Sequence, residues 1–519
     1  MAGNSIISQP DVTINIIPAQ QKVSNTAQKV LIVGQQLSGT ATSGDLQEQI
    51  GNANEEDALF GAGSMVAGMV RTFKSINEVT RVDAIGLDDD GGATDATATV
   101  VFAGGPATAA GTITVTVGSA TNHALEVVVA VGDTITDVGD ALVVAVGADA
   151  DIPVSAANVA GTVTLTALNG GTVGNNISLK AEGAAAGVTF TITGFTGGAA
   201  DPTLTSVFDV VGEQRYQTVV WPYNADIAEL KAFLDPRFNV TDDVQDGIGI
   251  TTSGDTFSTL ETLGNANNSQ SVVIMGVRVL DDALFKGLSL LELDYVISSQ
   301  LAAVRSLRLT DDANISRFVI STAGARDSFG GAALASLPYF NTPFPTLPLI
   351  PTGKGFDRSE IEALLTAGVS TIGNNKAGNQ TISGEVVTTY KTDAAGNPDI
   401  SFKFANFVDT ASNVREYMFN NVKARFAQSR LTEGDLIEGR SMANESVVKA
   451  FLNGLYDDLS GPDFVLTQAG ETARSFFNDN LAITLDLADG KVTVEMKVPL
   501  VTQFREFIAT LQIAFSTEG

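Results

Sequence analysis

The chain has 519 residues, with 59 Asp and Glu against 30 Lys and Arg, one histidine and no cysteine. Without thiols there are no cysteine nucleophiles, thiolate metal sites or disulfides; the single imidazole, His123, excludes multi-histidine metal sites and leaves one possible Ser/His/Asp triad. A formal net charge of −29 opposes nonspecific nucleic-acid binding and keeps copies apart until complementary patches meet.

An apolar fraction of 44% with only 17% charged residues marks a folded chain, and its length favours two to four domains. Apolar stretches such as Ser64 to Val70 and Ala141 to Val146 fall well short of the roughly 20 residues of a membrane span. The opening MAGNSIISQP has neither a basic nor an apolar segment, so no signal peptide is expected.

In chain order, Val12, Ile14 and Ile16 alternate with polar neighbours and predict an N-terminal strand. Val30 to Val33 is a compact apolar strand ending at Gly34. Met65 to Ile76 has helical spacing through Met65, Met69, Val70 and Phe73. Val82 to Ile85 predicts the next strand. Composition then shifts. From Val82 to Gln214 there are 15 acidic residues and one basic one, Lys180. Thr112 to Val117 and Thr162 to Thr166 alternate as strands, and a helix is expected from Thr134 to Val146. This reads as a small β-rich module inserted into another domain, its charge a solvated face. Asp88-Asp89-Asp90 followed by Gly91-Gly92 lacks the spaced ligands and distal Glu of an EF-hand loop.

After the module come expected helices at Thr205 to Val211, Ile227 to Leu234, near Phe257 to Leu263, and Leu288 to Leu307. Strands are expected at Thr218 to Trp221, Ile248 to Thr251 and Val272 to Met275. This alternation predicts an α/β domain with a largely parallel sheet. Prolines 338, 343, 345, 348 and 351 then suggest a boundary. Beyond it, Ser359 and Glu362 read as a capping box before a helix with Ile361, Leu364, Leu365 and Val369 on one face. Val386 to Lys391 and Ile400 to Phe404 flank a turn at Gly396-Asn397-Pro398. A helix is expected from Arg415 to Leu431 and another through Val448, Leu452, Leu455 and Leu459. Alternation around Asp489-Gly490 predicts a hairpin. Leu511, Ile513 and Phe515 predict a C-terminal strand.

No chemical motif emerges. There is no G-x-x-x-x-G-K-[ST] loop and no G-x-S-x-G elbow, and Gly34 to Gly39 lacks the middle glycine of a dinucleotide fingerprint. No catalytic, cofactor or metal residue is expected. Arg415, Lys423, Arg425 and Arg430 form the densest basic group. Four such charges in so acidic a chain do not make a DNA-binding surface, but they suit an acidic protein partner.

Phe356 to Val369 resembles the helix-then-glycine segment of contractile tail sheath proteins. Thr388 to Asp399, followed by Asn413-Val414-Arg415, is similar to the hairpin and arginine of their Mu-like branch. Val494 to Phe515, with Pro499, Phe504 and Ile508, resembles the family's C-terminal end. Val173 to Leu179 and Thr196 to Pro202 resemble its inserted module. Ser429 to Gly439 is only loosely like the family's basic, glycine-containing loop.

The resemblance implies a multidomain fold of α/β plus α+β class: a subtilisin-like α/β core without proteolysis, an inserted mainly-β domain, and an α+β C-terminal domain. Expected boundaries are an N-terminal arm at 1–20, the core at 21–85 and 203–350, the insert at 86–202, the C-terminal domain at 351–508 and a C-terminal arm at 509–519.

It implies a non-enzymatic subunit without cofactors. Stacked hexameric rings would form a helical homo-oligomer around an inner tail tube, with baseplate and tail terminator proteins as further partners. There would be no direct nucleic-acid contact and no membrane insertion. The setting would be a virion tail assembled in a host cytoplasm. Val12, Ile14, Ile16, Leu511, Ile513 and Phe515 would exchange strands between subunits. Arg415, Lys423, Arg425 and Arg430 are candidates for the inner-tube contact. The alternatives are a related contractile injection system, such as a tailocin or a secretion-system sheath, a hydrolase built on a subtilisin-like fold, and a secreted β-rich adhesin.

Overall fold

A computed structural model describes residues 28–51, 54–118, 123–238, 240, 243–280, 285–286, 292–309, 347, 349–350, 352–375, 380–437, 440–461 and 467–501. Both expected arms, the start of the helix expected at Leu288 and all five prolines of the 338–351 stretch lie outside the described residues.

The α/β part begins with strand β1 (Lys29–Gln35), followed by β2 (Leu46–Gln47), helices α1 (Glu55–Phe60) and α2 (Met65–Ile76), and β3 (Arg81–Leu87). The helix expected from the spacing at 65–76 forms with those bounds, and its buried stripe is Met65, Val66, Met69, Val70 and Phe73. A β-rich insert then runs through β4 (Thr97–Gly104), β5 (Gly111–Val117), β6 (Ala124–Val129), α3 (Ile135–Ala148), β7 (Val154–Val159), β8 (Thr162–Ala167), β9 (Leu179–Ala184) and β10 (Val188–Thr196).

The α/β part resumes with β11 (Thr218–Val220), α4 (Ile227–Leu234), β12 (Ile248–Asp255), α5 (Phe257–Ala266), β13 (Val272–Arg278), β14 (Phe285–Lys286) and α6 (Asp294–Leu309). After it come α7 (Arg358–Ala367), β15 (Val369–Asn374) and β16 (Gln380–Ile382).

The central sheet has the order β16-β15-β13-β12-β11-β1-β3-β2, with its six inner strands parallel. Strands such as Val30-Leu31-Ile32-Val33 and Val272-Val273-Ile274-Met275 are apolar throughout because helices cover both faces. Helices α2 and α6 pack against β1, β3, β11 and β12, while α4, α5 and α7 pack against β12, β13 and β15.

The boundary expected at 351 cuts through this sheet. Strand β15, beyond that boundary, pairs in parallel with β13. Its partner is nearly a hundred residues earlier, so no local signal announces the pairing. Gly368 makes the turn into it: φ is +88°, and a Cβ would stand 2.8 Å from the Thr389 Cα. The helix expected at Thr205 to Val211 is replaced by a turn and one 3-10 turn at Asp209–Val211, because Ser206 and Gly212 adopt positive φ. The capping box of α7 is Asp357 with Glu360, two residues before the expected Ser359 and Glu362. Ser359 instead donates from Oγ to Asp357.

In the insert, sheets β10-β4-β8-β7 and β14-β9-β5-β6 are packed with α3. Strand β14 is supplied from outside the insert and pairs with β9. The apolar interior of the insert, including Val100, Val115 and Leu165, is continuous with that of the α/β part.

The C-terminal unit is built from α8 (Ala405–Phe426), β17 (Arg430–Leu431), β18 (Met442–Ala443), α9 (Glu445–Ser460), α10 (Glu471–Asp479) and the hairpin β19 (Ala482–Asp486)–β20 (Lys491–Glu495). The expected strands at 386–391 and 400–404 form only isolated bridges, Val387 to Phe404 and Thr388 to Val273, and a further bridge, Thr392 to Pro398, closes the turn between them. Helix α8 starts ten residues before the expected Arg415 and ends at Phe426. Its second half joins a separate small core of Val414, Met418, Leu452, Leu455, Tyr456, Leu459 and Phe477.

Candidate functional site: a filled crevice and a basic helix end

In a doubly wound sheet, ligands bind beyond the carboxyl ends of the strands where strand order reverses. Here that point lies between β1 and β11. The insert fills it. Gln35 Nε2, at the end of β1, donates to Asp89 Oδ1 and to the Gly170 carbonyl, both at 2.6 Å. Gln36 Nε2 donates to Asp88 at 3.0 Å. Asn169 caps α2 by accepting from the Met65 N–H at 3.0 Å, and it donates to the Gln36 carbonyl. The helix N-terminus that a phosphate would need is already occupied by a side chain of the insert. Asp88, Asp89 and Asp90 are hydrogen-bond acceptors within this arrangement. Tyr223 is buried nearby, and burial raises its phenol well above the usual range.

Further ties hold the insert. Arg71 on α2 pairs with Asp151 at 3.0 Å and also with Glu56 and Asp57. Asn176 donates to Asp294 Oδ2 at 2.9 Å. Asp294 is fully buried at the start of α6, and desolvation raises its carboxyl to about 6 against the hydrogen bonds that lower it. His123 is bonded through Nδ1 to Asp149 at 2.7 Å within the insert. No group of three or more His, Asp or Glu able to hold a metal exists among the described residues.

Lys391 carries out a different task. Its Nζ donates to the carbonyls of Gly264 and Asn267 at the end of α5, and of Ala367 at the end of α7. One ammonium thus meets the negative ends of two helices. Burial lowers it to about 8.

The four basic residues of the candidate tube contact separate into two groups. Arg415 is turned inward: it pairs with Asp246 and donates to the carbonyls of Val240 and Asp243. Lys423, Arg425 and Arg430 are exposed at the far end of α8 and just beyond it. Lys423 lies 5.3 Å from the Phe419 ring centre and Arg425 5.3 Å from that of Phe426, so both heads are held over aromatic faces of their own helix. The same unit also exposes Arg440, Lys449, Lys491 and Lys497. The strand-exchange residues Val12, Ile14, Ile16, Leu511, Ile513 and Phe515 lie outside the described residues.

Comparison with known proteins agrees with the resemblance read from the residues. A Mu-like prophage FluMu tail sheath protein of Haemophilus influenzae is 26% identical over 497 residues, covering 93% of this chain and 92% of that protein. This chain is similar to a phage tail sheath protein over almost its whole length. No family model matches.

Among solved structures, the sheath tail protein Lin1278 of Listeria innocua covers 93% of this chain and 94% of its own, at 11% identity and a TM-score of 0.44. A chain of the anti-feeding prophage baseplate covers 95% and 96%, at 8% identity and a TM-score of 0.46. A chain of the contracted helical sheath of the same particle covers 95% of both, at 10% identity and a TM-score of 0.43.

Proposed function

We propose that this chain is a structural subunit of a contractile tail sheath. It polymerises into a helical tube around an inner tail tube and contracts to drive that tube through a host envelope. The observation that carries this reading is the similarity to a prophage tail sheath protein across almost the whole of both chains. The filled crevice supports a role without catalysis, since the insert's side chains stand where a doubly wound enzyme holds its ligand. A subtilisin-like core belongs to the same proposal, supported by a parallel sheet with helices on both faces.

In this reading the subunits stack as hexameric rings, in contact with tube, baseplate and tail terminator proteins, in a virion tail assembled in the host cytoplasm. The domain division follows the expectation from the sequence, with β15 added to the core. The arms carrying Val12, Ile14, Ile16 and Leu511, Ile513, Phe515 add strands to neighbouring copies. A suitable acceptor is the β19–β20 hairpin, whose outer edges pair with no other described strand. Lys423, Arg425 and Arg430 face the tube, and Arg415 is withdrawn from that set by its intramolecular bonds.

Deleting residues 1–17 tests the reading by sedimentation and negative-stain microscopy. The full chain forms hollow polymers, and the deletion leaves a folded protein that does not polymerise. Equal polymerisation by both would end the strand-exchange reading.

A further inference from the structure

Among the described residues the molecule has two separate apolar cores, and helix α8 contributes to both. Ala405 and Val408 of α8 belong to the core of the α/β part, whereas Val414 and Met418 belong to the small C-terminal core. Between them the helix carries Asp409, Thr410, Ser412 and Asn413, and its next turn carries Arg415 and Glu416. Three carboxylate–arginine pairs occupy this seam. Arg305, on α6, pairs with Asp409, and its Nη1 donates to the Gln217 carbonyl and the Thr218 hydroxyl beside β11. Arg215 pairs with Glu416 at 2.8 Å while donating to the Asp246 carbonyl at 3.0 Å and to Ser412 Oγ at 3.1 Å. Arg415 pairs with Asp246, whose second oxygen accepts from Ser412 at 2.9 Å. Asp409, Glu416 and Asp246 are all nearly inaccessible to solvent.

We propose that these six side chains are positioning residues that fix the angle at which α8 carries the C-terminal unit away from the α/β part. The physical reason is directionality. Apolar contact is roughly proportional to area and tolerates sliding or rotation. A guanidinium fork that meets a carboxylate and a backbone carbonyl together permits one orientation. Buried ion pairs are an expensive way to gain stability, since desolvation offsets much of their attraction, and their best-attested return is register. Here they lie where the two cores are not continuous, and they bind α8 to three separate places: α6 with the start of β11, the 214–217 segment, and the 240–246 segment. The inference concerns one subunit, so it stands whether or not the chain polymerises.

The absence of cysteine makes the test direct. Thr262→Cys and Lys449→Cys, both exposed and on opposite sides of the seam, accept spin labels in the full chain without background. Pulsed electron resonance on the otherwise unaltered chain gives a single narrow distance distribution. Arg305→Met with Asp409→Leu replaces one pair by apolar groups of similar volume, which maintains the melting temperature but broadens or shifts the distribution. Arg215→Lys retains a charge opposite Glu416 and loses the fork; it gives a smaller shift, and it decides the matter if the double variant does not fold. Arg358→Ala, at a fully exposed pair with Glu362, leaves the distribution unchanged. If the seam variants that fold retain the original distribution, the six residues supply stability alone and the proposal is overturned.

Discussion

The inserted β-rich module and the C-terminal unit are both appended to the same parallel sheet, and they are finished to very different degrees. The insert shares a continuous apolar core with the sheet, takes a strand from outside itself, and is tied down by Asp89, Asn169, Asn176 and Asp151. The C-terminal unit has its own small core, an open two-stranded hairpin and a polar seam. Their charges differ in the same sense. Between Val82 and Gln214 there is a single lysine, whereas Lys423, Arg425, Arg430, Arg440, Lys449, Lys491 and Lys497 are all exposed on the C-terminal unit. In so acidic a chain, an anionic module almost without cations is poorly suited to contact its own copies, and the unit that exposes cations as well as carboxylates beside a free hairpin edge is better suited to it.

Substitutions in each unit test this contrast. The largest effect is expected from truncating the two cores. Leu459→Ala and Leu165→Ala each remove a fully buried leucine, at a cost of about 2–5 kcal/mol. Calorimetry should register them differently. Leu459→Ala brings down a separate low-temperature transition of the C-terminal unit, whereas Leu165→Ala shifts the main transition because the insert melts with the sheet. One common transition displaced equally by both would remove the contrast.

Asp294→Asn tests the tie between insert and sheet. A carboxyl raised from 3.8 to about 6 gives its full stabilising contribution below pH 4 and loses it as pH rises through 6. The stability difference therefore moves in favour of the amide by about 1–3 kcal/mol between pH 4 and pH 7, on top of a pH-independent cost for the acceptor that the amide lacks toward Asn176 or Tyr295. Denaturation midpoints at pH 4, 5, 6 and 7 read it; a pH-independent difference contradicts it.

The smallest effect on stability belongs to Lys423→Glu with Arg425→Glu and Arg430→Glu. All three are exposed, so stability falls by roughly 0.5 kcal/mol per substitution. Co-sedimentation with the inner tube should nevertheless be lost, and retention would remove these residues from that contact.

Much of the α/β part was legible because its signals are local. A short, mostly β-branched run such as Val30 to Val33, ended by Gly34, fits a doubly covered strand, and the 65–76 stripe fits one helix face. The first half of α8 was not legible, because Asn406, Asp409, Thr410 and Asn413 are buried polar groups that erase the apolar period. The α7 cap falls two residues before the expected one because Asp357/Glu360 and Ser359/Glu362 both satisfy the same spacing. The seam itself gave no signal. Arg215, Asp246 and Arg305 are far from Asp409 and Glu416 in sequence, and only the fold makes them neighbours. By sequence Arg415 belongs to a basic group, and nothing in its neighbours reveals that it faces inward.

Helical reconstruction of the assembled protein by electron cryomicroscopy shows which unit makes the contacts between copies. The predicted result is a hollow tube with the C-terminal unit at the inner radius, in contact with neighbouring copies, and the inserted module at the outer radius. A tube whose lumen is lined by the inserted module, or a protein that remains a monomer at high concentration, would contradict it.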